Sequence, residues 1–398
     1  MHESQPLNTV TALPDGAVQL LDADGTLHED ARFTPYLADL SEETVRQMYR
    51  LMATERRVDQ EGTSLQRQGQ LALWVPAIGQ EGAQAGALTA LKDTDWIFPT
   101  YREHLFALGR GVTPGQLLSL FRGAAHAGWD ARPHHVQPYT LVLAAQTLHA
   151  TGYAWGIARD QADWDSGRSA SEGEVVLACY GDGASSEGDV HEAMVFAASY
   201  DLPVVFFCQN NQWAISVPAS TQTRVPLARR AAGYGFEGVT VDGNDPLAMH
   251  AVTAWAAEQA RSGAGPALVE AHTFRVGAHT TADDPMKYRT RDVEEAWAVV
   301  DPLVRLEKYL RSSGAAGSDP DRFFAEVAEE GERLAAATRE AVLAMTGDAI
   351  EPLDTVFDTV YADPHPLVAE EKAWHREWQA GFADTAEGAD RENQEGAA

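Results

Sequence analysis

Apolar residues first fall into register after Ser41, where Val45, Met48, Tyr49 and Met52 recur at i, i+3, i+4 and i+7 behind Glu42 and Glu43. That spacing predicts an amphipathic helix, capped by Ser41, with one face on a core. The residues before it carry turn signals at Pro14-Asp15-Gly16 and around Asp22, Asp24 and Gly25 but no period, so 1–40 read as an N-terminal arm. From Gln80 to Leu91 the small residues Gly82, Ala83, Ala85, Gly86 and Ala87 suit a helix lying close against a neighbour. The pattern then shifts to short apolar runs: Glu174–Tyr180 (EVVLACY), Leu202–Cys208 (LPVVFFC), Pro266–Phe274 (PALVEAHTF) and Val239–Val241 ahead of Asp242-Gly243-Asn244. These read as strands. Between the first two, Val190, Ala193, Met194 and Ala197 return to helical spacing over Asp189–Tyr200. A strand, loop, helix, strand unit with right-handed crossover has parallel strands whose carboxyl ends share one edge. Beyond Asp292 the pattern is helical over Val293–Val300, Pro302–Leu310 and Pro320–Met345. The expected fold is α/β, a parallel sheet with helices on both faces spanning 41–310, followed by a helical C-terminal region, 311–383. An acidic tail almost without apolar side chains, 384–398, is expected to be disordered.

Composition narrows the function. The chain has 398 residues, 44% of them apolar, which is ample for a folded core. Its net charge of −29 would repel a phosphate backbone and an anionic membrane surface, so nucleic acid and membrane are not expected as partners. No apolar run approaches the roughly 20 residues of a membrane span. The opening Met1-His2-Glu3-Ser4-Gln5-Pro6 lacks the pattern of a secretory signal, and a cytoplasmic location is expected. Cys179 and Cys208 lie inside apolar runs, where they read as buried small hydrophobes.

Candidate chemistry gathers at two strand exits. The first strand runs into Gly181-Asp182-Gly183-Ala184-Ser185-Ser186-Glu187-Gly188, and the second into Asn210-Asn211-Gln212-Trp213. Open parallel sheets place ligands at such carboxyl ends. Gly181 and Gly183 let the backbone approach a ligand, and the following helix start offers N–H groups to a phosphate. Asp182 and Asn211 supply hard oxygens; a magnesium ion sharing them with a backbone carbonyl, two diphosphate oxygens and a water reaches its octahedron. Alone, Gly-Asp-Gly is common turn punctuation; joined to Asn-Asn after one helix and strand, it points to that chemistry.

The pair GDGASSEG … FFCQNNQWAIS resembles the thiamine-diphosphate fingerprint. Further stretches, SLQRQGQLALWVPAIGQEGAQAG, DWIFPTYREH, AAQTLHATGYAWG, VDGNDPLAMH and FRVGAHTTADDPMKYR, extend the resemblance over about Leu40–Leu310 and, more loosely, near Val356–Tyr361. They are similar to the alpha subunits of 2-oxo acid dehydrogenase complexes, which implies the thiamine-diphosphate-binding fold. The resemblance implies Asp182, Asn211 and the carbonyl of Trp213 as magnesium ligands, and Tyr101, Arg102, Leu141, Leu143, Gly181, Gly183, Ala184 and His279 as further cofactor contacts. Leu143 would prop the cofactor in its bent shape, and His279 would also be the catalytic proton donor or acceptor. Trp74, Tyr101 and Leu143 would wall the substrate. Each has a plainer reading: a surface pair of Arg102 with Glu103, a core leucine, a solvated loop histidine. The chain departs from relatives at Gln209, where some have arginine, at Ala278 and Thr280, which weakens phosphoregulation, and at Ala145, which weakens a potassium site. The segment Gly123–Tyr139 matches poorly.

By the same resemblance the cofactors are thiamine diphosphate and Mg2+. The reaction is oxidative decarboxylation of a 2-oxo acid with reductive acylation of a lipoyl group, that is, an oxidoreductase acting on an oxo group with a disulfide acceptor. Branched-chain 2-oxo acids such as 2-oxoisovalerate are favoured, and pyruvate is the alternative. The implied partners are a beta subunit, in an alpha2beta2 heterotetramer, and the lipoyl-bearing acyltransferase. Two other readings exist. A non-catalytic scaffold paralogue would not need the metal-binding pattern, and a dinucleotide enzyme would show G-x-G-x-x-G after its first strand.

Overall fold

The structure, a computed structural model, describes residues 11–163, 173–346, 350, 352 and 354–395. Five strands form one parallel sheet in the order β1-β2-β3-β7-β6: β1 Trp96–Phe98, β2 Val176–Gly181, β3 Val204–Asn210, β6 Glu237–Asp242 and β7 Ala267–His272. A small hairpin, β4 Trp213–Ala214 with β5 Val217–Pro218, follows β3. The four predicted runs are all strands, shifted by a residue or two. The unpredicted β1 is only three residues long and pairs Trp96–Phe98 with Val176–Ala178.

The helices that matter to the site, in chain order, are α1 Glu42–Arg67, α2 Glu81–Ala90, α3 Ala145–Asp163, α4 Gly188–Ser199, α5 Pro246–Arg261, α6 Pro302–Ser313, α7 Pro320–Ala344 and α8 Pro366–Glu395. Ser41 caps α1 as expected, its Oγ accepting from the backbone N–H of Thr44 at 3.0 Å. Alternation along the strands divides the interior in two. Leu177, Cys179, Val205, Phe207, Val269 and Ala271 share one core with buried residues of α1, α2 and α5. Val176, Ala178, Val204, Phe206, Cys208 and Leu268 share the other with α3 and α4. Burying each of the Val, Leu and Phe side chains contributes about 1.5–3 kcal/mol. The small residues of α2 are explained by α5: a Cβ on Gly86 would lie 2.4 Å from the carbonyl oxygen of Pro246.

Two expectations change. The N-terminal arm is part of the domain: Val18 bridges Val241 in parallel, and the N–H groups of Leu20 and Leu21 donate to Asp245 Oδ2 at 2.7 and 2.6 Å. Local pattern cannot show such pairing across more than 220 residues of sequence. The C-terminal region is helical as expected, and Phe323, Val327 and Val342 of α7 pack into the first core. Finally, α8 runs through Glu395 where a disordered tail was expected, and 396–398 lie outside the described residues. Composition that cannot build a core can still extend an existing helix, because propagation needs no new nucleus and Ala and Glu are good helix formers.

Candidate active site

Parallel strands put the exits of β1, β2, β3 and β7 on one edge, and the loops there enclose a cavity of about 340 Å³. Tyr101, Arg102, Leu143, Gly181, Asp182, Gly183, Ala184, Asn211, Trp213 and His279 all line it. The sequence separates these residues by up to 178 positions; the sheet edge brings them together.

Asp182 leaves β2 buried, and its Oδ2 has no hydrogen-bond partner. Burial pushes its carboxyl up to about 6, against the opposing pull of its own backbone N–H, the Arg275 charge, the backbone N–H of Asn211 and the Arg102 charge. The loops after β2 and β3 therefore meet. Asn211 is buried too: its Oδ1 accepts from the N–H of Trp213 at 3.2 Å, while its Nδ2 donates to Gln80 Oε1 at 3.2 Å. These two bonds fix which end of the amide is oxygen. Gln212, at φ 69°, turns the chain so that the hairpin folds back over the β2 loop. Gly183 makes room for it, since a Cβ there would sit 2.8 Å from Ala214 Cβ. The carbonyl of Trp213 accepts from Arg275 Nη1 at 3.3 Å.

Arg102 forms the opposite wall. It is 5% exposed, so the surface pair with Glu103 does not exist; Glu103 is buried as well and bonds to Thr100 and to Gln209 Nε2 at 2.5 Å. Arg102 donates through Nη1 to the carbonyl of Pro76, and through Nη2 to His279 Nδ1 at 3.1 Å and to the His279 carbonyl at 2.9 Å. Because guanidinium only donates, Nδ1 is the acceptor and the neutral imidazole carries its proton on Nε2. Burial, with the charges of Arg102 and Arg275 nearby, brings His279 down to about 4.

Arg275, two residues before Gly277 in the FRVGAHTT stretch, was not among the expected residues. It is fully buried and donates to the carbonyls of Trp213 and Ile215 and to Tyr288 Oη. The Tyr288 hydroxyl in turn donates to Asp283, whose Oδ2 also accepts from the N–H of His279 at 2.8 Å. One arginine thus ties the hairpin to the histidine loop. Its signal in the sequence was an arginine flanked by Phe274 and Val276 at a strand exit. Gln80 was missed likewise; its Nε2, and Oε1 of the cavity-lining Gln146, have no partner.

Two expected residues fall elsewhere. Trp74 does not wall the cavity: its ring is fully buried, stacked on His104 at 4.5 Å, with Nε1 donating to Asp59 at 2.7 Å. A bulky indole, even inside a matched stretch, is drawn inward by its own apolar area. Leu141 is 58% exposed and lies outside the cavity lining, whereas Leu143, 48% exposed, stands at the rim with Ile215.

The residues fit a metal-bound anion. Arg102 and Arg275 are buried guanidiniums that, among the described residues, form no ion pair with a carboxylate. Buried charge without a counter-charge is costly, and an anionic ligand would supply one. Among the described residues no group of three or more His, Cys, Asp or Glu could hold a metal by itself. One carboxylate and one amide are the sparse protein contribution that magnesium accepts when phosphate oxygens complete its shell. No helix among the described residues is long and apolar enough to cross a membrane.

Comparison with known proteins agrees with this geometry. Residues 49–346 match the family described as Dehydrogenase E1 component. The chain is 45% identical over 351 residues to the "3-methyl-2-oxobutanoate dehydrogenase subunit alpha" of Mycobacterium tuberculosis, covering 88% of this chain and 90% of that one. It is 34% identical over 365 residues to the "Pyruvate dehydrogenase E1 component subunit alpha" of Staphylococcus epidermidis, covering 90% and 92%. It is 35% identical over 316 residues to the Bacillus subtilis protein of the same name, covering 78% and 81%. With the match spanning the sheet and every loop of the cavity, the chain belongs to the dehydrogenase E1 component family.

Proposed function

We propose that this chain is the alpha subunit of a 2-oxo acid dehydrogenase and that its cavity holds the diphosphate of thiamine diphosphate with Mg2+. The observation that carries the reading is the unpartnered, buried Oδ2 of Asp182 beside Asn211, in a cavity lined by the buried Arg102 guanidinium and with the buried Arg275 guanidinium bonded to the Trp213 carbonyl; among the described residues neither arginine forms an ion pair. Asp182, the Asn211 amide oxygen and the Trp213 carbonyl would hold the metal. Arg102 and the Nε2–H of His279 would hold phosphate oxygens, with Gly181, Gly183 and Ala184 offering backbone beside them. When bound, thiamine diphosphate supplies the electron sink that decarboxylation of a 2-oxo acid requires.

The chain's own part is to bind, orient and move a proton. Tyr101 and Leu143 would shape the wall against which the reacting end lies. His279, neutral at pH 7 and fixed in one tautomer by Arg102, can give its Nε2 proton to a developing anion and take it back. An anion neutralising Arg102 and Arg275 would raise its proton affinity toward the working pH, because those two charges help to depress it.

Leu143 and Ile215 leave the cavity rim apolar and exposed, with Leu141 and Val142 exposed in the same chain segment as Leu143. A beta subunit covering this rim accords with the alpha-subunit names of the relatives, and we propose an alpha2beta2 heterotetramer in the cytoplasm. A lipoyl-bearing acyltransferase would be the acceptor of the acyl group. Branched-chain 2-oxo acids such as 2-oxoisovalerate are the favoured substrates, since the 45% identical relative is named for one; pyruvate is the alternative, from the 34% identical relative. The test is co-expression with a beta chain, followed by decarboxylation assays across 2-oxoisovalerate and pyruvate with and without thiamine diphosphate and Mg2+. Activity that needs both cofactors and prefers the branched acid is expected. Cofactor-independent turnover, or none on either acid, would overturn the reading.

A further inference from the structure

Asp59 lies on α1, wholly buried, and does not line the cavity. Its Oδ1 accepts from Trp74 Nε1 at 2.7 Å and its Oδ2 from the backbone N–H of Ala77 at 2.6 Å. Both donors belong to the irregular segment 74–79, and that segment is the rest for the cationic wall. The carbonyl of Pro76 accepts from Arg102 Nη1, and that of Val75 is bonded to His104 Nε2 at 2.7 Å. Trp74 is bonded three times to Thr281, two residues past His279: its N–H donates to Thr281 Oγ1 at 3.0 Å, and its carbonyl accepts from the Thr281 N–H at 3.0 Å and from Thr281 Oγ1 at 3.4 Å. Farther along, the carbonyls of Ile78 and Gly79 accept from the Val276 N–H at 3.2 Å and from Thr273 Oγ1 at 2.8 Å.

We propose that Asp59 is a positioning residue for the anion-binding wall: by gripping residues 74–77 from behind, it fixes both the Arg102 guanidinium and the His279 loop where a ligand's phosphates would meet them. The proposal rests on the diphosphate reading of the cavity. A carboxylate is needed because both of its oxygens receive N–H donors. An amide has one acceptor and one donor end, so asparagine would set its NH2 against either the indole or the Ala77 N–H, and the segment would have to move. The movement reaches Arg102 through one carbonyl and His279 through Thr281, so a single core carboxylate governs two contacts that lie far apart in sequence.

The test uses the full chain co-expressed with its beta partner, comparing wild type with Asp59→Asn, Trp74→Phe and Asp95→Asn. Asp95 is a control of matched character, a buried acid bonded to Arg261 at 3.0 and 2.7 Å and to the N–H of Val175, at the opposite end of β2 from the cavity. Titration calorimetry gives the Kd for thiamine diphosphate with Mg2+, melting without cofactor gives stability, and steady-state rates at saturating cofactor separate kcat from KM. Asp59→Asn is expected to weaken cofactor binding about 10- to 100-fold, the usual effect of removing a supporting partner, and to keep kcat low at saturation because His279 stays displaced. Trp74→Phe, which removes the indole donor together with part of the buried ring but leaves the Ala77 bond to Asp59, is expected to weaken binding less in the same direction. Asp95→Asn should lower the melting temperature and leave the Kd alone. A Kd for Asp59→Asn within about twofold of wild type, or an equal loss in Asp95→Asn, would reduce Asp59 to a stabilising core residue and overturn the proposal. If Asp59→Asn does not fold, an unchanged Kd in Trp74→Phe overturns it. Failure of the wild type itself to bind thiamine diphosphate would instead bring down the cavity reading, and this proposal with it.

Discussion

Gly183→Ala tests the convergence of the two loops, because its added carbon points at the hairpin. Gly183 has ordinary right-handed backbone angles, φ −60° and ψ −46°, so alanine introduces no backbone strain. What it introduces is one carbon 2.8 Å from Ala214 Cβ and 3.5 Å from Ala214 Cα. Carbon atoms rest at about 3.5–4.0 Å, so the hairpin must retreat by roughly 1 Å. Ala214 is only partly buried and sits in a two-stranded hairpin, and the retreat should cost about 1 kcal/mol of stability, at the low end for overpacking. The effect on a metal is far larger. Magnesium holds its ligands near 2.0–2.1 Å in a close to ideal octahedron, so if the Trp213 carbonyl is a ligand as proposed, moving it by about 1 Å would take it out of reach. Losing that support should weaken binding of thiamine diphosphate with Mg2+ by about 10- to 100-fold. Titration calorimetry on the variant, with melting followed by circular dichroism, measures both quantities. An unchanged Kd, or a large fall in melting temperature with binding intact, would refute the claim that Gly183 exists to let the loops close on a cation.

Two further outcomes are expected. Arg102→Met keeps most of the side-chain volume and removes a buried charge, so it should leave the unliganded chain about as stable while costing about 2–5 kcal/mol of cofactor binding; equal affinity by calorimetry would sink the anion-wall reading. His250, bonded to Thr89 Oγ1 at 3.0 Å, is brought down by burial from 6.5 to about 4. The fold keeps it neutral while the unfolded chain takes up a proton near 6.5, so its contribution is present above pH 6.5 and is lost as the pH falls toward 4. The stability difference between wild type and His250→Leu should therefore shrink by on the order of 3 kcal/mol across that window in denaturant titrations, and a difference independent of pH would contradict it.

The sheet and the loops that follow β2 and β3 were legible because both are local. Runs such as LPVVFFC announce buried strands, and a strand exit followed by Gly-Asp-Gly or Asn-Asn places its own polar groups at the ligand edge. The anion wall was legible only through resemblance. Nothing local tells that Arg102 abandons Glu103 for the carbonyls of Pro76 and His279, a choice made by three segments meeting in space. Trp74 escapes a local reading for the same reason: it stays out of the cavity, and it reaches the site through its backbone bonds to Thr281 and the indole bond to Asp59. Arg275 shows in the sequence only as a charge between apolar neighbours, and its bonds to the Trp213 and Ile215 carbonyls exist only in the fold. Val18, Leu20 and Leu21 were read as arm because their partners, Val241 and Asp245, lie at the far end of the domain sequence.

The central claim is that Asp182 and Asn211 share one divalent cation with a diphosphate. Crystals of the alpha–beta complex grown with thiamine diphosphate and Mn2+ in place of Mg2+ would locate that cation by its anomalous scattering. The account predicts a single strong peak bonded to an Asp182 carboxylate oxygen and to Asn211 Oδ1, with diphosphate oxygens completing the shell and Arg102 and His279 on the phosphates. Bound cofactor with the peak elsewhere, or with Asp182 and Asn211 facing away from it, would contradict it.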